Sequence, residues 1–173
     1  TVCALKMALY TGLRDNSIRG ARWREIDLGQ SSWTIPAVRM KSKKVFTLPL
    51  PKQAVLALMT LKKLTYLDDD SYVFPSAGKY EYMAENTLRL ALHRIGFAVT
   101  VHGMRSLITN VLNEHGFNRD AIERQLDHQE RNQVRAAYLT SDFMEIRQPM
   151  MQWFADWCDG AEASNVMQIR SAA

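Results

Sequence analysis

Cysteine is nearly missing: Cys3 and Cys158 are the only two in 173 residues. They lie far apart, with no CxxC pair and no Cys/His ligand spacing, which leaves no basis for a disulfide framework or a zinc site. Both are expected to be reduced thiols. Long apolar runs are missing too, and no stretch approaches the roughly 20 residues that a membrane-spanning helix needs. Lys6 and Arg14 interrupt the opening apolar stretch, so no signal peptide is expected and the chain is assigned to the cytoplasm, away from any membrane. No Gly-rich phosphate loop, internal repeat or low-complexity block occurs, which argues against ATP-dependent chemistry. With eight glycines, five prolines and 47% hydrophobic residues, the composition is that of one folded core.

The net charge of +4 is modest but unevenly placed. Residues 1–63 hold twelve Lys and Arg against three Asp and Glu, whereas the remainder is acidic on balance. A polyanion is therefore expected to meet the first third of the chain.

Val2, Leu5, Ala8 and Leu9 recur at helical spacing until Gly12 stops the run, and this helix delivers Arg14 just past its end. A short second helix is expected over Ile18–Trp23, before a turn at Asp27 and Gly29. Trp33–Pro36 and Val45–Leu50 are β-rich runs around the basic segment Arg39–Lys44, which reads as a hairpin with a cationic tip. Helices are expected from Lys52 to about Leu64, with Pro51 at the start, and from about Glu85 to Ile95. Between them, Asp68, Asp69 and Asp70 point in different directions, as an acidic solvated loop rather than a metal site. The strongest apolar stripe, Met104, Leu107, Ile108, Val111 and Leu112, marks a helix over 102–115 that Gly116 ends. Asn118 is a plausible cap for a helix delivering His128. A short helix over Val134–Leu139 would present Tyr138. From Phe143 to Trp157 apolar residues again recur at helical intervals, with Pro149 expected to kink or restart that helix. The stripe of Trp153, Phe154 and Trp157 is open between self-packing and a partner surface. Residues 1–159 are expected to form one domain, and 160–173 a flexible or partner-docking tail.

Arg14, the pair His102 and Arg105, then His128 and Tyr138 make a set suited to attack on a phosphodiester. Planar guanidinium forks with histidine donors neutralise the non-bridging oxygens while charge builds at phosphorus, and a phenol activated by that positive field supplies the nucleophile. Taken singly, each has a structural explanation. Arg14 beyond a helix C-terminus offsets the dipole, His102 caps its helix, His128 sits at a helix end, and Tyr138 is a half-buried aromatic. Lys41, Lys43 and Lys44 singly read as a solvated turn. Their joint occurrence in one order is what the structural explanations do not provide.

Thr11-Gly12-Leu13-Arg14 and the residues following to Leu28, the Lys41 hairpin, His102-Gly103-Met104-Arg105, Gln125-Leu126-Asp127-His128 and Arg135–Leu139 together resemble the tyrosine recombinase family, and within it the phage and genomic-island integrases. The resemblance runs from about residue 1 to 158. It implies a mainly α-helical catalytic domain with a small antiparallel β-sheet. It further implies a site-specific recombinase that cleaves and rejoins DNA strands through a 3′-phosphotyrosyl intermediate, integrating or excising a mobile element without metal or cofactor. By position, Arg14 and Arg105 resemble the phosphate clamp, Tyr138 the nucleophile, and Lys41 the acid for the 5′-oxygen. His102 resembles the residue assisting proton transfer and His128 a second phosphate donor; Arg39, Lys43 and Lys44 resemble DNA-backbone contacts. The implied partners are double-stranded DNA, further copies of the chain in a tetramer, and directionality and DNA-bending factors, in a bacterial nucleoid setting. The resemblance implies that the family's N-terminal DNA-binding domains are outside this segment, which is expected to be a catalytic domain alone. Ser17 stands where the family usually has an acidic residue, and a hydroxyl there can only hydrogen-bond a neighbouring cation. That departure motivates the alternative of a catalytically weakened DNA-binding or regulatory module. A type IB topoisomerase shares the tyrosine chemistry, but the TGLR and HGMR elements favour an integrase.

Overall fold

The computed structural model describes residues 1–76, 78, 80–128 and 141–171, the stretch 161–171 as backbone only. The first helix, α1 (Val2–Thr11), ends where Gly12 turns left-handed at φ 68° and returns its N–H to the Ala8 carbonyl. The short second helix, α2 (Asp15–Arg19), starts earlier than the expected Ile18–Trp23. Arg14 is extended at its start and Gly20 ends it, so Trp23 falls into a separate 3-10 turn, Trp23–Glu25. A three-stranded antiparallel sheet follows in the order β1 (Ile26–Asp27), β2 (Ser32–Ile35), β3 (Phe46–Pro49). Trp33 pairs with Leu48 and Ile35 with Phe46, which puts four buried side chains on one face. The loop from β2 to β3 carries Lys41, Lys43 and Lys44, all exposed, so the expected hairpin is present.

Three helices continue the chain: α3 (Lys52–Thr65), α4 (Thr87–Arg94) and α5 (Val101–Glu114). Thr100 caps α5 by accepting the Gly103 N–H, and Gly116 at φ 76° follows its end. Asn118 caps α6 (Arg119–Gln125), accepting the Asp120 and Ala121 N–H groups at 2.9 and 3.1 Å. The last helix, α7 (Met144–Ser171), runs unbroken through Pro149. The expected restart at Pro149 does not occur. The proline sits near the helix start and forfeits one backbone bond, while Met150, Met151, Phe154 and Ala155 just beyond it are buried. The same helix continues to Ser171, into the segment expected to be a flexible or partner-docking tail.

Two buried clusters result. One joins α1, the sheet and α3 around Met7, Trp33, Phe46, Leu48 and Leu58. The other joins α5, α6 and α7 around Ile108, Leu112, Ile122 and Phe154. Of the apolar stripe of α7, Phe154 is buried in this core and Trp153 and Trp157 pack against it half-buried; Trp153 lies against the rings of His115 and Phe117, at 4.7 and 4.9 Å between centroids. A polar seam holds the other flank: Gln53 donates to Asp156 and Asp159, and Tyr10 to Asp159, at 2.8 to 3.1 Å.

Candidate active site

Three chain segments meet where α1, α5 and α6 converge. Gly12 makes the meeting close, because a Cβ there would lie 2.6 Å from Leu126 Cδ2 and 2.9 Å from Ile108 Cδ1. With the backbones this near, Arg105 on α5 reaches both of the others. Its Nη1 donates to the Gly12 carbonyl, and its Nη2 to the Leu126 carbonyl at 2.7 Å, with His128 Nε2 at 3.1 Å. Arg105 is 5% exposed. Burial, and next the field of Arg14, lowers its pKa to about 10, which leaves it a cation at neutral pH.

Arg14 comes to the same place from the turn after α1. Its Nη1 lies 3.1 Å from Asp127 Oδ2, and its side chain keeps 30% of its surface exposed against 6% for the aspartate. Asp127 is left-handed at φ 49°, a conformation aspartate tolerates better than most residues, and this bend separates α6 from His128. His128 Nδ1 is 2.7 Å from Glu123 Oε2 one turn back on α6. A proton on Nδ1 directed at that carboxylate leaves Nε2 to accept from Arg105. The result is a half-open cluster of two guanidiniums and an imidazole, each oriented by carbonyls or carboxylates from behind.

The structure therefore brings Arg14, Arg105 and His128 together. His102 is exposed on the first turn of α5, three residues before Arg105. Lys41 is exposed in the β2–β3 loop, and no direct contact joins it to the cluster among the described residues. Tyr138 lies outside the described residues. Arg39 differs from its two lysine companions: it turns inward to the Gly20 carbonyl and the buried Glu25 carboxylate, with 14% of its side chain exposed, so it anchors the loop rather than facing solvent as a DNA-backbone contact would. Ser17 is 2% exposed, and its hydroxyl donates to the Arg39 carbonyl at 3.3 Å. It supports the start of the Lys41 loop instead of touching a cluster cation. Asp127 and Glu123 were not singled out from the sequence. Their signal is the register of α6: the carboxylate immediately before His128, and the one five residues before it, come into reach once the helix ends in a left-handed turn.

A sequence model of the phage integrase family matches residues 1–145. The chain belongs to the phage integrase family. Among curated relatives of this integrase domain, prophage integrase IntA of Escherichia coli is 39% identical over 170 residues, covering 96% of this chain and 41% of that protein. The integrase of Enterobacteria phage P4 is 40% identical over 178 residues, covering 92% and 40%. The integrase domain thus spans about two fifths of the length of these relatives. Solved structures share its fold. The integrase from mycobacterium phage Brujita superposes with a TM-score of 0.67 at 19% identity, over 87% of this chain and 50% of that one. The Tn1549 transposon integrase, solved in complex with transposon right end DNA, gives 0.60 at 16% identity, over 79% and 57%.

Proposed function

We propose that this chain is the catalytic domain of a site-specific DNA recombinase that cuts and rejoins strands through a 3′-phosphotyrosyl intermediate. The observation that carries the reading is the convergence of Arg14, Arg105 and His128 from three separate segments, in a chain of this family. A scissile phosphate set against the exposed side of Arg14 would draw hydrogen bonds from both forks, with His128 Nε2 as a further donor once protonated. Tyr138 then attacks phosphorus; the phosphorus–tyrosine bond forms as the bond to the 5′-oxygen breaks. The phenolic proton leaves with assistance from His102, and Lys41 protonates the departing 5′-oxygen. One ester replaces another, so the reverse attack by a 5′-hydroxyl of a different strand reseals without external energy. The guanidiniums supply the charge stabilisation, and double-stranded DNA is the substrate. Lys43 and Lys44 beside Lys41 suit the phosphate backbone flanking the cut. Working copies would assemble on two DNA sites.

A nicked suicide duplex tests this. The chain should become covalently joined to the strand's 3′ end, seen as a slow band on a denaturing gel, and Tyr138→Phe should lose that band entirely. A surviving band in Tyr138→Phe would mean another nucleophile. Duplex binding by the unaltered chain with no covalent band would favour the regulatory alternative.

A further inference from the structure

Arg147 is a buried cation that the proposed chemistry does not use. On the second turn of α7 it is 0% exposed, with a pKa lowered to about 10 by burial and then by Arg124. No carboxylate accepts from it directly among the described contacts. Its guanidinium instead spans three neutral carbonyl oxygens: Gln125 Oε1 on α6 at 2.9 Å, the Thr47 carbonyl on β3 at 3.1 Å, and the Asp142 carbonyl at 3.1 Å. The Phe46 ring lies 5.0 Å from its centre. A buried charge held this way is a poor source of stability, since an apolar side chain of similar volume would avoid the desolvation. What it provides is direction.

Arginine has donors only, so Gln125 must turn its amide oxygen toward Arg147 and its nitrogen away. That nitrogen donates to the Thr11 carbonyl at 2.9 Å. Thr11 precedes Gly12, and Gln125 precedes Leu126; the Gly12 and Leu126 carbonyls are the two that seat Arg105. Gln125 therefore clasps α1 to α6 one residue behind the Arg105 seat, and Arg147 sets which way the clasp faces. Through Thr47 and Phe46 the same guanidinium refers that seat to β3, the strand that leaves the Lys41 loop.

We propose that Arg147 is a positioning residue of the recombinase site, fixing through Gln125 the seat in which Arg105 and Arg14 converge and its register against the sheet bearing Lys41. The inference rests on the recombinase reading. It predicts a loss in the chemical step and not in DNA association, because Arg147 has no exposed surface to offer DNA.

The test is single-turnover adduct formation on the nicked suicide duplex, measured against duplex concentration for the unaltered chain and for Arg147→Met. A misplacement of about 1 Å at such a centre costs about a hundredfold in rate. Arg147→Met should accordingly lose about a hundredfold at saturating duplex, while half-saturation stays within about twofold. A variant as fast as the parent overturns the inference, as does one whose loss disappears at saturation. Should circular dichroism show Arg147→Met unfolded, Gln125→Met replaces it, removing the clasp while keeping the guanidinium. At least about a tenfold loss at saturation is then expected, and a rate within about twofold of the parent overturns the inference. An inactive parent would sink the recombinase reading and this inference with it; an active parent with unaffected variants sinks the inference alone.

Discussion

Arg14 and Arg105 carry the same charge, yet their surroundings give them different vulnerabilities. Arg14 keeps nearly a third of its side chain in solvent and answers to one carboxylate, so truncating it removes a proposed phosphate donor at little structural cost. Arg14→Ala should lower strand cleavage by about two to three orders of magnitude, with melting temperature close to the parent's. Arg105 is buried and closes two backbone carbonyls from different helices, so Arg105→Ala should lose as much cleavage and also melt several degrees lower. Equal melting of the two variants would contradict this geometry. The cysteines make a second prediction at this scale. Burial is the leading cause that pushes Cys3 up to about 11 and Cys158 up to about 12, from an ordinary 9.0. At pH 8 about one Cys3 in a thousand, and about one Cys158 in ten thousand, is thiolate. Iodoacetamide should therefore modify the native chain more than about tenfold more slowly than the denatured one. The folded state keeps these protons beyond the pH at which the unfolded state releases them, so their contribution is intact below about 9 and lost as pH rises toward about 11 for Cys3 and about 12 for Cys158.

Gly12 shows how an element's end makes a site. It needs a positive φ and has no room for a Cβ between Leu126 and Ile108, so Gly12→Ala combines backbone strain with a clash at the α1–α5–α6 junction. Stability should fall by at least about 2 kcal/mol in urea unfolding, with cleavage falling further than the folded fraction, since the Gly12 carbonyl seats Arg105. The helices with strong local signals were legible in the sequence: α5 by its stripe and Gly116, α6 by Asn118, α1 by Gly12. Shorter elements were not. β1 has two residues and no period to read, and α2 is delimited by Arg14 and Gly20 rather than by an apolar pattern. Pro149 does not restart the helix because the burial that α7 gains in both clusters outweighs the proline's local cost.

Over the whole molecule, the three residues that converge were legible in their order along the chain, and what holds them together was not. Arg14, Arg105 and His128 could be named from the ordered motifs that resemble the family, but Gln125 and Arg147 act through contacts across 22 to 114 positions of chain, which no local pattern encodes. Arg39 shows the converse: it sits in a basic run by sequence and faces Glu25 in space. The surplus of positive charge in residues 1–63 predicts salt-sensitive DNA binding for the proposed function. With Lys41, Lys43 and Lys44 all replaced by alanine, the slope of log affinity against log salt should become shallower by about 2 to 3, read by fluorescence anisotropy of a labelled duplex. An unchanged slope would mean that this loop does not meet phosphate.

The Thr47 carbonyl that Arg147 occupies belongs to the outermost strand of the sheet, and α7 lies alongside it. A short strand with free backbone groups is a template on which another polypeptide can add itself. Here a guanidinium blunts one of those groups and a helix shields the margin. Strand addition by another polypeptide at this margin of the sheet would first have to displace both Arg147 and α7.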